Sequence, residues 1–370
     1  MPAPTRKTIL AEQHIENAIE SLPFYVVDFV RAKKRARLSP GTISGYLHDY
    51  KRFFDWLRME GFTVAISNKE IPFSDLEKLK KKEIEYFFEM LTDEKIEKRK
   101  DVFVQRSEAS VSRFIQSLKS LFNYLTTESE DDEGECYFYR NVMAKIKTPK
   151  KTESTARRAK RISSQILEKD EMDGLLNFLK FDYEKNLSPR QLSRFERDRL
   201  RDVAIIALFQ GSGIRVNELA GLQITDVDSR KGDINVLRKG DKADTVSITP
   251  SSMEELMNYL NNREAMYKPN PKNKFCFLTK YAGQANPIAV ETIQALVSKY
   301  SEAYLSGKRL KPHLLRHSFA KRWLDEGGSL VALRDQLGHN TIETTVLYTN
   351  LSQEEQREVL MKMDESPSKD

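Results

Sequence analysis

Cysteine is nearly missing from this chain of 370 residues: Cys136 and Cys276 are its only two, far apart and in no Cys-x-x-Cys. That excludes a disulfide framework and a zinc knuckle, and points to a reducing, intracellular setting. Histidine is scarce too, at five in the whole chain, so no metal is expected. Long apolar runs are absent. The longest, Val203 to Phe209, is far shorter than the roughly 20 residues that cross a bilayer. The opening Met1 to Lys7 has no apolar core of a signal peptide. The expectation is a soluble cytoplasmic protein without a membrane partner. The glycines of Gly211-Ser212-Gly213 are followed by no Gly-Lys-Ser/Thr, and Val216 stands in the third glycine place of a dinucleotide fingerprint. No cofactor is expected, and a tight turn launching the next helix is the better reading.

Charge is plentiful. Lys and Arg number 61 against 55 Asp and Glu, a formal net charge of +6 and a pI near 9.0. Such a balance describes basic faces set among acidic ones, compatible with nucleic acid. The length exceeds one ordinary core, so two domains are expected. Residues 1–144 read as a bundle of four amphipathic helices: one over 13–33, one capped by Ser39, one over Lys81 to Leu91 and one from Ser107. Its core includes Tyr50, Phe53, Leu57, Phe114, Leu118 and Phe122. Glu128 to Glu135 is an acidic loop, and the aromatic stretch Tyr137 to Met143 is expected to dock on a core. Residues 145–162 form a basic interdomain linker. Lys150, Lys151, Arg157, Arg158, Lys160 and Arg161 lie in it and are suited to lie along phosphates.

Residues 163–370 read as a mostly helical second domain with a small sheet. Ile166 to Leu179 is helical, Ser188 to Leu192 is a turn into the next helix, and Asp198 to Phe209 is an apolar helix. Strands over Ile234 to Leu237 and Thr245 to Ile248 flank Lys239-Gly240-Asp241-Lys242 as a hairpin, and Phe275 to Leu278 is a third candidate strand. The fold class is therefore mainly α (α+β). Near the end, Pro312 suits the first turn of a helix that sets His313, Arg316 and His317 on one face. Ser329 caps another, Gly338 stops it, and His339 and Tyr348 follow. Two imidazoles, a guanidinium and a phenol within a few tens of residues suit chemistry on a phosphate. Arginine matches phosphate oxygens two at a time, histidine moves protons near neutral pH, and tyrosine can attack as a nucleophile.

At these residues the chain resembles the tyrosine recombinase (phage integrase) family. Arg215 opens a helix, Lys239 sits on the hairpin, His313 and Arg316 form His-x-x-Arg, and His339 precedes Tyr348 by nine residues. Gly213-Ile214-Arg215-Val216-Asn217-Glu218-Leu219 and Leu337-Gly338-His339 add to the likeness. The acidic loop and the aromatic stretch after it look closest to the Xer type, in its single-recombinase form. The resemblance implies an N-terminal core-binding domain (SAM-like), with Lys51, Arg52, Arg106, Arg113 and Lys119 toward DNA. It also implies a catalytic domain that ends in a tail helix over Ser352 to Met363.

The implied reaction is transesterification of a DNA phosphodiester. Tyr348 forms a 3′-phosphotyrosine and the 5′-oxygen leaves. Arg215 and Arg316 hold the nonbridging oxygens, and Lys239 protonates the leaving oxygen, with Lys242 the competing lysine. His313 takes or relays the tyrosine proton, and His339 donates to a phosphate oxygen. Family resemblance further implies duplex DNA with paired sites and a homotetramer on two duplexes. It suggests resolution of chromosome dimers at a dif-like site during cell division; whether a division-linked DNA translocase takes part stays open. The runner-up is an integrase of a phage or conjugative element. Two more distant readings are a metal-dependent nuclease, from His313 and His317 at i, i+4, and a non-catalytic DNA-binding module. The nuclease lacks the glutamate of His-Glu-x-x-His, because Leu314 takes that place.

Overall fold

A computed structural model describes residues 6–99, 101–149, 155–238 and 242–339, together with Thr345 and Met361. The chain divides into two compact units, one over Arg6–Thr152 and one from Glu153 onward.

The first unit contains α1 (Arg6–Ile19), α2 (Phe24–Arg35), α3 (Pro40–Met59), α4 (Phe73–Lys78), α5 (Lys81–Asp93) and α6 (Glu108–Thr127). Between α5 and α6 stands an antiparallel hairpin, β1 (Lys95–Arg99) and β2 (Val102–Gln105). The single helix expected over 13–33 is two. Pro23 occupies the N-cap of α2 with φ −62 and ψ 155, and an extended residue that lacks an N–H cannot carry the helix through. The hairpin has no counterpart in the sequence reading, because Lys95, Glu97 and Arg99 leave no clean apolar alternation to find. The caps behave as expected. Ser39 Oγ accepts from the Thr42 N–H and Pro40 follows it, and Ser107 Oγ accepts from the Ser110 N–H. Ile43, Leu47, Tyr50, Phe53 and Leu57 of α3 are buried with Phe114, Leu118 and Phe122 of α6 in one core. Phe87 of α5 packs edge-on to Phe53, ring centroids 5.2 Å apart. The segment after the acidic loop docks on this core: Phe138, Val142 and Met143 are buried, and the Tyr137 hydroxyl donates to Asp28 at 2.9 Å.

The second unit contains α7 (Thr155–Ser163), α8 (Lys169–Phe181), α9 (Pro189–Ser212), α10 (Val216–Gly221), α11 (Pro250–Tyr267), α12 (Val290–Tyr304), α13 (Pro312–Asp325) and α14 (Leu330–Leu337). Its strands are β3 (Val227–Asp228), β4 (Asp233–Arg238), β5 (Lys242–Ser247), β6 (Leu278–Tyr281) and β7 (Gln284–Pro287). The antiparallel order is β3-β4-β5, with β6-β7 a separate hairpin. In the β4–β5 pair Arg238 stands opposite Lys242. A helix fills much of the stretch expected as a linker: Arg157, Arg158, Lys160 and Arg161 all lie on α7, where Ala, Arg and Lys are favourable residues. The turn expected over Ser188–Leu192 to lead into the next helix is shorter than that, because α9 already begins at Pro189. Ser188 and Gln191 form a reciprocal cap, and Pro189 takes the first helical position.

Helix α9 runs through the middle of the unit. Every residue from Arg201 to Ser212 is buried, which explains an apolar run without a polar face. The charges among them are paired. Arg201 bonds Asp202 at 2.6 and 2.8 Å and the Leu278 carbonyl at 2.9 Å, and the Tyr300 hydroxyl donates to Asp202. This network ties α9 to β6 and α12. Gly213 ends α9 with φ 64. A Cβ there would lie 2.5 Å from a Phe319 ring carbon and 2.8 Å from Leu337, so both backbone conformation and space require glycine. The C-cap of the helix lies two residues before Arg215, the N-cap of the next helix.

Candidate active site

The C-terminus of α14 is the point on which the candidate residues converge. Its last carbonyls have no partner within the helix and carry the negative end of the helix dipole. Gly338 adopts the left-handed stop, φ 60 and ψ 51, and the His339 N–H turns back to the Arg334 carbonyl at 3.0 Å. Three guanidinium groups then cap what is left. Arg316 donates to the Leu337 carbonyl at 2.5 Å, Arg215 to the Gly338 carbonyl at 2.8 Å, and Arg238 to the carbonyls of Leu337 at 2.7 Å and Gln336 at 2.9 Å.

Each arginine arrives from a different element. Arg215 is the N-cap of α10, with φ −78 and ψ 148. Its N–H and its guanidinium both donate to Glu218, at 2.9 and 2.8 Å. Arg316 lies in the second turn of α13, after Pro312 at the first helical position, and also donates to the Gly213 carbonyl at 2.6 Å. Arg316 is 3% exposed, whereas the Arg215 side chain is 31% exposed. Arg215 thus faces solvent, while Arg316 is committed to the backbone of two helix ends.

His339 joins this cluster. Its Nε2 lies 3.2 Å from Arg316 and its Nδ1 lies 3.0 Å from Thr345 Oγ1. A guanidinium can only donate, so Nε2 is the acceptor and the proton sits on Nδ1, directed at Thr345. Burial, with Arg316 and Arg215 beside it, pushes the His339 pKa down to about 4. His317 falls to about 4 through burial and the proximity of His313, Arg316 and Arg158. Burial, Arg316 and Arg215 also lower His313. All three imidazoles are therefore neutral at pH 7, the state in which a histidine can accept a proton. His313 and His317 share a face of α13 with ring centroids 5.9 Å apart. Among the described residues no group of three or more His, Cys, Asp or Glu is placed to hold a metal ion.

Arg215, His313, Arg316 and His339 thus gather at one site. Lys239 and Tyr348 lie outside the described residues, as do Lys150, Lys151 and the tail over Ser352 to Met363 apart from Met361, which is helical and exposed. Lys242 opens β5 opposite Arg238 and is exposed. The expected DNA-facing side chains divide sharply. Lys51 is exposed, and Lys119 lies 3.4 Å from the Thr148 hydroxyl. Arg52 and Arg106 both bond Glu94, and Arg113 bonds both oxygens of the fully buried Asp49 at 2.6 and 2.7 Å. Arg157, Arg158, Lys160 and Arg161 are exposed along α7.

Two site residues escaped the sequence reading. Glu218 is buried and neutralises Arg215, with Arg238 3.6 Å from the same oxygen. The three-residue spacing from Arg215 to Glu218 at a helix start was the available signal. Arg238 left no comparable trace, since its partners on α14 are 98 and 99 residues further along.

A mostly helical unit that gathers three arginines and a histidine at one helix end, beside a β-hairpin, defines the class. The chain belongs to the phage integrase family, the tyrosine recombinases, whose sequence pattern matches residues 165–355, and it is a site-specific DNA recombinase. It is 37% identical over 358 residues to the tyrosine recombinase XerS of Streptococcus gordonii, covering 97% of this chain and 100% of the relative. XerS of Streptococcus pneumoniae matches at 37% over 355 residues, covering 96% and 99%. These likenesses make it a Xer-type recombinase. The structure of XerH site-specific recombinase bound to a palindromic difH substrate, a post-cleavage complex, shares the fold. Its TM-score is 0.60 at 21% identity, covering 92% of this chain and 85% of that one. Among the described residues no helix is long and apolar enough to cross a membrane.

Proposed function

We propose that this recombinase resolves chromosome dimers at a dif-like site, cutting and rejoining duplex DNA through a 3′-phosphotyrosine on Tyr348. The observation that supports the chemistry is the convergence of Arg215, Arg316 and His339 on the end of α14, with the Arg215 side chain 31% exposed there. The phenolic oxygen of Tyr348 bonds to phosphorus as the bond to the 5′-oxygen breaks. His313, neutral at pH 7, takes the phenolic proton, and Lys239 gives one to the departing oxygen. Two of the five N–H groups of Arg215 are engaged among the described residues, and others can meet a nonbridging oxygen. Arg316 reaches the phosphate by exchanging its bond to His339 or to a carbonyl for one to the oxygen. His339, released from Arg316, donates from Nε2 in the tautomer whose Nδ1 accepts from the Thr345 hydroxyl, and both stabilise charge gathering on the phosphorane. The phosphotyrosine conserves the bond energy, so the 5′-hydroxyl of a second strand reverses the step without ATP.

Four protomers on two duplexes are the expected assembly, with a division-linked translocase as a candidate partner. Exposed Lys51 and the basic face of α7 supply phosphate contacts, so binding weakens steeply with salt. The test is a covalent protein–DNA adduct that survives SDS, formed in EDTA on host chromosomal DNA, with the attachment points mapped. Adducts clustered at one chromosomal locus are expected. Adducts confined to the ends of a mobile element would replace dimer resolution with element integration. Tyr348→Phe should bind DNA normally and form none, and an adduct in that variant refutes the nucleophile.

A further inference from the structure

The Arg238 side chain is 8% exposed and makes three charge-assisted hydrogen bonds and one longer ion pair. Across the hairpin it bonds Asp244 on β5 at 2.8 Å. Toward α14 it reaches the carbonyls of Leu337 and Gln336. On its third side lies Glu218. Gln336 adds a second tie between the same elements, donating to the Ser247 carbonyl at 2.8 Å and the Ser212 carbonyl at 3.0 Å. The approach is close enough to exclude a side chain at Gly338, whose Cβ would lie 2.4 Å from the Arg238 guanidinium carbon. Leu337 O receives both Arg238 and Arg316, so one carbonyl is shared between the hairpin and the phosphate-binding cluster.

Chain continuity gives this clamp its meaning. The residue after Arg238 is Lys239, and the residue after Gly338 is His339. We infer that Arg238 is a positioning residue that fixes the base of the β4–β5 hairpin to the His339 end of α14, so that the hairpin delivers its lysine to the leaving oxygen. Without the clamp the hairpin base gains freedom relative to α14. A general acid misplaced by about 1 Å loses on the order of 10²-fold in rate. A planar fork is needed, because a lysine offers one point charge and cannot span Asp244 and two successive carbonyls. The inference rests on the proposed role of Lys239 as the acid, and the test separates the two.

The test uses the full-length protein and suicide half-sites in which the 5′-bridging atom at the scissile phosphate is oxygen or sulfur. A thiolate leaves without a proton, its conjugate acid having a pKa near 8.5. Arg238→Met should lose about 10²-fold in cleavage of the oxygen substrate, yet cleave the sulfur substrate to within about threefold of the parent protein, because only the acid step is impaired. Equal losses on both substrates would mean that Arg238 serves the fold or Arg316, and no loss on oxygen would mean that it positions nothing; either overturns the inference. Lys239→Ala serves as the control. If sulfur rescues Lys239→Ala and leaves Arg238→Met impaired, the clamp is refuted alone; if sulfur rescues neither, the lysine assignment falls as well. Asp244→Asn, which changes a side chain 41% exposed, provides the reading if Arg238→Met does not fold. It should show a smaller oxygen-specific loss, again recovered with sulfur, and a loss shared by both substrates counts against the clamp.

Discussion

Arg113→Met separates a DNA contact from a fold contact. Asp49 is fully buried in α3, and Arg113 of α6 gives it two hydrogen bonds. Burial raises the Asp49 pKa, and the Arg113 bonds and charge oppose that rise. Removing one partner of a buried pair costs about 3–5 kcal/mol, because the remaining charge stays desolvated. The Arg113 side chain is 48% exposed, so water reaches the pair and the loss should be nearer 2–4 kcal/mol. For a unit of this size each kcal/mol lowers the melting point by roughly 3 °C, giving a drop of roughly 6–12 °C. Asp49→Asn combined with Arg113→Met removes both charges and should recover most of that loss.

The pH dependence follows from Asp49. Loss of Arg113 removes the influence that opposed the raised pKa, so the folded variant takes up a proton more readily than the unfolded chain does. Its stability, relative to the parent protein, therefore improves as pH falls from 7 toward 5. DNA affinity and its salt slope, measured well below the melting point, should match the parent. An unchanged melting point together with a salt slope reduced by about one phosphate contact would refute this reasoning and return Arg113 to the DNA.

Arg215→Ala and Arg316→Ala should each cost on the order of 10²-fold or more in cleavage. Only Arg316→Ala should also lower the melting point substantially, since it leaves the Gly213 and Leu337 carbonyls without that donor; thermal unfolding checks the contrast. Gly338→Ala should destabilise the second unit by at least the roughly 1–2 kcal/mol of a left-handed alanine and impair cleavage, because the new Cβ displaces Arg238. His317 and His339 bind a proton near 6.5 in an unfolded chain and only near 4 when folded. Their contribution is present above about pH 6.5 and lost as pH falls toward 4. His317→Asn should flatten that part of the stability–pH curve.

Local chemistry made much of the molecule legible in the sequence. Ser39, Ser107 and Ser329 announced helix starts, Gly338 announced a stop, and the apolar spacing of α3 and α6 marked the face that became the first core. His313, Arg316 and His339 could be chosen from their spacing beside local cues, a proline at the first helical position and a left-handed glycine, whereas Arg215 was singled out by its match to the family pattern. The β1–β2 hairpin, the break at Pro23 and the helix in the expected linker were misread where charge obscured periodicity or where one residue decided continuity. Tertiary structure alone decided which arginines were available. The sequence presents Arg52, Arg106 and Arg113 as a basic surface, but Glu94 and Asp49 claim them across 42, 12 and 64 residues. Arg238 became part of the site for the same physical reason. A guanidinium takes its role from the oxygens that surround it, and for Arg238 these come from the paired strand, from α10 and from the end of α14.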